Sequence, residues 1–327
     1  MATVAIVGAG SLVGNEIIEV LEAREFPIER LKLLGSLKSA GTQTDRGTIG
    51  LLGPDAFADV DLAFFAAGPT VAGEFVPIAV AAGARAIDVS SRFRLDPEVP
   101  LVVPEVNAAL LRMGEQHDVV ASPSATAIGL SVTLAPLAAA AGLSRAVVST
   151  YQGAASGGRR LLRKLSRDTI ALLNSRSEPG DGLGFDCIPR IGSMLPGGVS
   201  SHELHLVEET RRILAAPELA LSVTAVRVPA FFGQGISVHL ETERRLPADE
   251  AVRVLRDAPG LIVHDDPNER PPTLAGVAGT EATHVGRIRD DTALEHGLAL
   301  WIAIDSVRKG AALNAVEIAE ILLAESI

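Results

Sequence analysis

Short, wholly apolar runs alternate with helically spaced stretches over the first part of the chain. Residues 4–7 form an apolar run that ends in a glycine turn, as a strand covered on both faces does. Residues 15–24 carry Ile17, Ile18, Val20 and Leu21 at helical spacing; 31–34 read as a second strand, and 62–66 as a third, closed by Gly68 and Pro69. A helix over 76–82 and a strand over 85–89 follow. This alternation predicts an α/β domain built on a doubly wound parallel sheet. From about residue 144 the texture changes. The runs at 145–151, 221–229 and 236–242 are longer and β-like, the last alternating through Ile236, Val238 and Leu240. Helices at 157–175 and 202–215 lie between them. That pattern predicts a second, α+β domain, with helices on one face of a mostly antiparallel sheet. Residues 173–198, rich in Gly and Pro, read as a long connection, and 310–327 as an amphipathic helix that folds back to complete the first domain. The expected division is 1–125 plus 306–327 against 126–305.

Composition narrows the function. Apolar residues make up 47% of the 327, enough for a large core, and aromatics only 3%, so aliphatic side chains must fill it. A net charge of −11 argues against nonspecific attraction to nucleic acid or anionic lipid. The single cysteine, Cys187, excludes an internal disulfide and a multi-cysteine zinc site, which fits a reducing cytoplasm. The chain runs from Met1 straight into a strand, so no leader is expected. The most apolar stretch, 130–143, carries Ser131, Thr133 and Pro136 and is too short to span a bilayer.

The first strand and helix flank Gly8-Ala9-Gly10-Ser11-Leu12-Val13-Gly14. Glycines there allow a tight turn and close approach of N–H groups to a pyrophosphate, which the helix N-terminus also favours. The glycine pattern is imperfect, and a strand–helix turn that binds nothing has the same look. The second strand ends in Gly35-Ser36-Leu37-Lys38-Ser39-Ala40-Gly41, with no carboxylate for a ribose 2′-hydroxyl. Ser36, Lys38 and Ser39 suit the 2′-phosphate of NADP, or else a polar surface turn.

With these stretches the chain resembles the aspartate-semialdehyde dehydrogenase family along nearly its whole length, and within it the Usg-type paralogues. Besides residues 4–14 and 36–41, the matching motifs are Asp88-Val89-Ser90-Ser91-Arg92-Phe93-Arg94, Val102-Val103-Pro104-Glu105-Val106-Asn107 and Ser149-Thr150-Tyr151-Gln152. Further along come Ser156-Gly157, Glu209-Thr210-Arg211-Arg212-Ile213-Leu214, Val226-Arg227-Val228-Pro229, Gly286-Arg287-Ile288-Arg289-Asp290-Asp291 and Arg308-Lys309-Gly310-Ala311-Ala312-Leu313-Asn314-Ala315-Val316. The resemblance implies a Rossmann-like NADP-binding domain and a second domain whose sheet makes a homodimer. It also implies reduction of aspartyl phosphate to the semialdehyde. A cysteine thiolate forms a thioester, a histidine moves the proton, one arginine grips the substrate carboxylate and a second arginine and a lysine hold the phosphate. Among cofactor contacts it adds Ser156, Gly157 and Asn314 to Gly8, Gly10, Ser11, Leu12 and Val13.

Carried over position by position, the nucleophile's signature falls on Ser124-Ala125-Thr126, so Ala125 stands in its place. The base falls on Gln234, which cannot take a proton near neutrality. Gln152 is retained; Arg227 matches the carboxylate arginine, Arg94 the phosphate arginine, and His205 the phosphate lysine. His202 falls on an acidic position of the same motif. Arg94, Gln152, Arg227 and His205 are thus expected either to receive a small anionic ligand or to persist as inherited ion pairs. The resulting expectation is a catalytically inactive homologue that keeps NADP or small-anion binding. The alternative is an NADP-dependent oxidoreductase working by an altered mechanism. His202 and His205 with Glu203 do not make a zinc motif and are expected on an exposed helix face. No metal is expected. Cys187, in the connection, is expected to be a structural thiol.

Overall fold

The computed structural model describes residues 1–111, 117–176, 178, 180 and 182–324. It divides into two compact units, Met1–Ser124 with Ala311–Ile327, and Ala125–Gly310.

In the first unit the chain runs β1 (Ala2–Val7), α1 (Leu12–Ala23), β2 (Ile28–Gly35), a small hairpin of β3 (Gln43–Thr44) and β4 (Gly47–Thr48), then β5 (Gly50–Leu51) and β6 (Leu62–Phe65). It continues through α2 (Pro69–Ala81), β7 (Arg85–Asp88), α3 (Pro104–Asn107) and β8 (Val119–Ala121). The six-stranded sheet has the order β5-β2-β1-β6-β7-β8 and every pair is parallel. Its order reverses at β1, so the loop after β1 stands at the switch point of a Rossmann-like sheet, where such sheets take ligands. The apolar run of β1 follows from burial on both faces. Val4 and Ile6 pack with Ile17, Leu21 and the C-terminal helix (Asn314–Ala324), while Ala5 and Val7 pack with Phe57, Phe65 and Val76. That last helix is preceded by a π-helical turn over Arg308–Leu313, and residues 325–327 of the expected 310–327 helix lie outside the described residues.

The second unit holds α4 (Ala125–Ala141), β9 (Arg145–Gln152), α5 (Gly158–Leu173), α6 (Ser201–Ile213), β10 (Ala220–Arg227) and β11 (Gln234–Glu241). After these come α7 (Ala248–Arg256), β12 (Leu261–His264), β13 (Thr283–Asp291) and β14 (Gly297–Ile304). The sheet order is β10-β9-β11-β14-β13-β12. The three central pairs are antiparallel, but β10–β9 and β12–β13 at the two edges are parallel, so the sheet is mixed. Inward residues Val148, Val238, Leu300 and Ile302 pack with Leu130, Leu134 and Leu137 of α4 and Ala251 and Leu255 of α7. Between α5 and α6 the described residues form neither helix nor strand; residues 177, 179 and 181 of that connection lie outside the described set. Among the described residues no helix is long and apolar enough to cross a membrane.

Candidate active site

In the first unit, the cofactor-loop candidates sit where β1 passes into α1. Gly8 has φ +88°, and a Cβ there would lie 2.8 Å from the Ala66 carbonyl oxygen; one on Gly14 would lie 2.2 Å from that of Gly8. Only glycine fits such a turn. Ser11 caps α1, its hydroxyl accepting from the Gly14 N–H at 2.8 Å, and Gly10 is exposed beside it. Among the described residues the N–H groups of Leu12 and Val13 have no acceptor, as first-turn donors of a helix do not. This backbone cradle fits a pyrophosphate. After β2, Ser36 and Lys38 are exposed, and the Ser39 hydroxyl donates to the Ser36 carbonyl at 3.1 Å. Asn314 is buried and donates to the Val102 carbonyl and the Ser122 hydroxyl, at 3.0 and 2.9 Å, while its Oδ1 is buried without a partner. Arg94 directs Nε to the Ser122 carbonyl and Nη2 to that of Val89, at 3.0 and 2.7 Å. Beside it, burial pushes the Asp88 carboxyl up, against its bonds from Ser90 and the charge of Arg94.

In the second unit, a row of polar side chains lies at one end of the sheet. Arg227, Gln152 and Gln234 are register partners across β10, β9 and β11. Residues in register point to the same face of a sheet. The N-terminus of α4 meets this row. Ala125 is the helix's first residue, half-buried, with Gly310 so close that a Cβ on the glycine would lie 2.3 Å from the alanine's own. The next residue, Thr126, is buried and becomes the centre of a network. Its hydroxyl donates to Gln234 Oε1 at 2.7 Å and accepts from Gln152 Nε2 at 3.3 Å. The same Gln152 nitrogen lies 3.2 Å from the Thr150 hydroxyl and 2.8 Å from Nε2 of His202.

Arg227 is held through one nitrogen. Its Nη1 donates to the Gly153 carbonyl at 2.6 Å, to the Gln152 carbonyl at 3.4 Å and to the Ser156 hydroxyl, which itself donates to Gly153 at 3.0 Å. No carboxylate is paired with this arginine among the described residues. Burial alone lowers the guanidinium to about 10, the mark of a partly desolvated cation without a counter-charge. Gly157 is exposed at the start of α5, next to Ser156.

The two histidines part company. His202 is half-buried with its ring against Gln152, which corrects the expectation of an exposed face. The cause is the cap of α6. Ser200 and Glu203 form a capping box, and the second oxygen of Glu203 accepts the Ala225 N–H of β10 at 2.8 Å, which fixes the helix start against the sheet edge. Burial pushes the Glu203 carboxyl up, but the N–H donors of Ala225 and Ser200 outweigh it and hold it below the usual range. His205 is half-buried one turn on and bonds to none of these groups. Among the described residues no three His, Cys, Asp or Glu side chains are placed to hold a metal ion. Cys187 is exposed in the connection and shares no bond with the network. The sequence reading missed Thr126 and Thr150 as network members. The signal was present in β9, whose inward positions run Ala146, Val148, Thr150, Gln152, polar where apolar residues are expected.

Comparison with known proteins gives a consistent picture. The family described as semialdehyde dehydrogenase, NAD binding domain, matches residues 3–113, and the semialdehyde dehydrogenase dimerisation domain matches residues 134–309. The chain is 38% identical to an aspartate-semialdehyde dehydrogenase of Shewanella sp. (strain DB6705) over 98% of its own length and 97% of that protein. It is equally 38% identical to one of Aquifex aeolicus, over 99% and 98%. Among solved structures, aspartate semialdehyde dehydrogenase II from Vibrio cholerae, complexed with ASA, superposes with a TM-score of 0.94 at 35% identity, covering 100% of this chain and 99% of that one.

Proposed function

The chain belongs to the aspartate-semialdehyde dehydrogenase family, and on that premise we propose that it is a Usg-type member that no longer carries out the dehydrogenase reaction and acts by binding NADP and a small anion. One observation carries this reading. Ala125 occupies the first turn of α4, and the neighbouring hydroxyl, Thr126, gives its proton to the amide oxygen of Gln234. An alanine has no nucleophilic atom, and an amide oxygen is no base near neutrality, so Thr126 is not activated in its stead. The imidazole of His202 reaches the network through Gln152. Arg227, a cation without a counter-ion, supports a retained anion site, and Gln152 stands beside it. The ASA-bound relative from Vibrio cholerae supports the same ligand class.

NADP supplies hydride chemistry when bound; the residues of the first unit that would hold it are Gly8, Gly10, Ser11, Leu12 and Val13 for the pyrophosphate, Ser36, Lys38 and Ser39 for the 2′-phosphate, and Asn314. A homodimer in the cytoplasm, with neither nucleic acid nor membrane as partner, completes the proposal.

The test is phosphate-dependent reduction of NADP with aspartate semialdehyde, using protein free of host enzyme. No turnover is expected, together with NADPH binding by fluorescence; turnover overturns the reading. The second reading, an oxidoreductase of altered mechanism, has the His202 imidazole in its favour. It predicts turnover that His202→Ala abolishes.

A further inference from the structure

Two glutamines stand side by side in the sheet, Gln152 at the end of β9 and Gln234 at the start of β11, 1% and 2% exposed. A single hydroxyl, that of Thr126, bridges them. A hydroxyl has one hydrogen to give. Donating to one amide, it can only accept from the other, so one glutamine turns its oxygen to Thr126 and the other its nitrogen. Their remaining atoms are then also unlike. In the structure these are Gln152 Oε1 and Gln234 Nε2. Exchanging oxygen and nitrogen on both side chains merely swaps the roles, and one acceptor and one donor remain.

Among the described residues neither remaining atom has a hydrogen-bond partner, and neither is among the buried polar atoms sealed from solvent. Gln152 Nε2 lies within hydrogen-bond distance of Thr126, Thr150 and His202, so that end of the amide faces the network and the other end is the one left over. On the other side of Gln152 in the same register row, Arg227 keeps Nε and Nη2 without a hydrogen bond among the described residues.

We infer that this row binds a small carboxylate carrying a primary carboxamide, Arg227 taking the carboxylate and the Gln152–Gln234 pair taking the amide through one accepted and one donated hydrogen bond. The inference rests on the anion-binding reading of Arg227 given above. The chemistry selects the group. A primary amide offers one donor and one acceptor edge, matching the pair. A second carboxylate offers acceptors alone and would set its oxygen against that of Gln152; an ammonium offers donors alone and would leave the nitrogen of Gln234 unmatched.

Calorimetric titration of the full chain with succinamate and with succinate tests it. The two are nearly isosteric, and the extra charge of succinate favours its own attraction to Arg227, so the comparison is weighted against the proposal. Succinamate is expected to bind at least about tenfold more tightly, the discrimination of a buried pair that would otherwise face an unlike partner. Thr126→Val, which keeps the shape and removes the bridging hydroxyl, is expected to bring the ratio of succinamate to succinate affinity toward one. Gln234→Glu replaces the donor by an acceptor without changing size and is expected to abolish the preference by itself, so the test stands even where the first variant does not fold. Equal binding of the two probes, or a preference for succinate, by the natural protein overturns the carboxamide inference and leaves the anion site standing. Binding of neither overturns both.

Discussion

Thr126 separates the chemistry that the site has from the chemistry that its surroundings resemble. Its proton is committed to Gln234 and its lone pairs to Gln152, so the hydroxyl is spent on structure. Ala125→Cys alone is therefore expected to restore little reduction of NADP by aspartate semialdehyde, since no imidazole replaces Gln234. Ala125→Cys with Gln234→His is expected to recover measurable phosphate-dependent turnover; none would mean that the rest of the pocket has changed too. Ala125 and Gln234 stand out in the sequence through the motifs around them, as the positions where the resemblance leads one to expect a thiol and an imidazole. The bridge itself was not, because residues 126 and 234 meet only after β11 has docked beside β9, and no local pattern encodes that meeting. The hint lay in two polar residues, Thr150 and Gln152, at inward positions of an otherwise apolar strand.

Among elements, α6 shows how a local signal acts at a distance. Ser200 and Glu203 close a capping box at its start, yet the face that His202 presents depends on the bond from Ala225 N–H to Glu203, a contact between elements far apart in sequence. Ser200→Ala is expected to cost about 1 kcal/mol in urea denaturation, through loss of the cap. The strands β12 to β14 were the least legible. In β14 Leu298, Leu300, Ile302 and Ile304 face α4 and alternate with Ala299, Trp301 and Ala303 on the opposite face, themselves apolar and buried or half-buried, so the two-residue period is masked. In β13 the register slips between Gly286 and Arg289, and Arg287 takes φ +53°. Between β12 and β13, His264 Nε2 lies 2.9 Å from His284 Nδ1. Burial first, and the His264 charge second, hold His284 below its usual 6.5. The unfolded chain then binds the extra proton more readily than the folded one, so stability is intact above pH 6.5 and is lost as pH falls from there toward the lowered value. The urea midpoint should drop over that window, and His284→Gln, which cannot charge, should flatten the drop.

Over the whole molecule, two sheets of different type reflect two kinds of burial. Strands covered on both faces, as in β1, gave the clearest sequence signal; those of the second sheet gave alternation that only some of them kept. The second unit is the family's dimerisation domain, and the proposed homodimer predicts twice the chain mass in light scattering. A particle of single-chain mass at micromolar concentration would count against it. The sheet's face away from α4 also holds the chain's one tryptophan. Trp301 has its ring 5.6 Å from that of Tyr151 and gives its indole N–H to the Pro272 carbonyl at 2.8 Å. Excited at wavelengths that bypass tyrosine, the protein thus emits from a single intrinsic fluorophore, and its spectrum and lifetime read out events at that one spot without any attached dye.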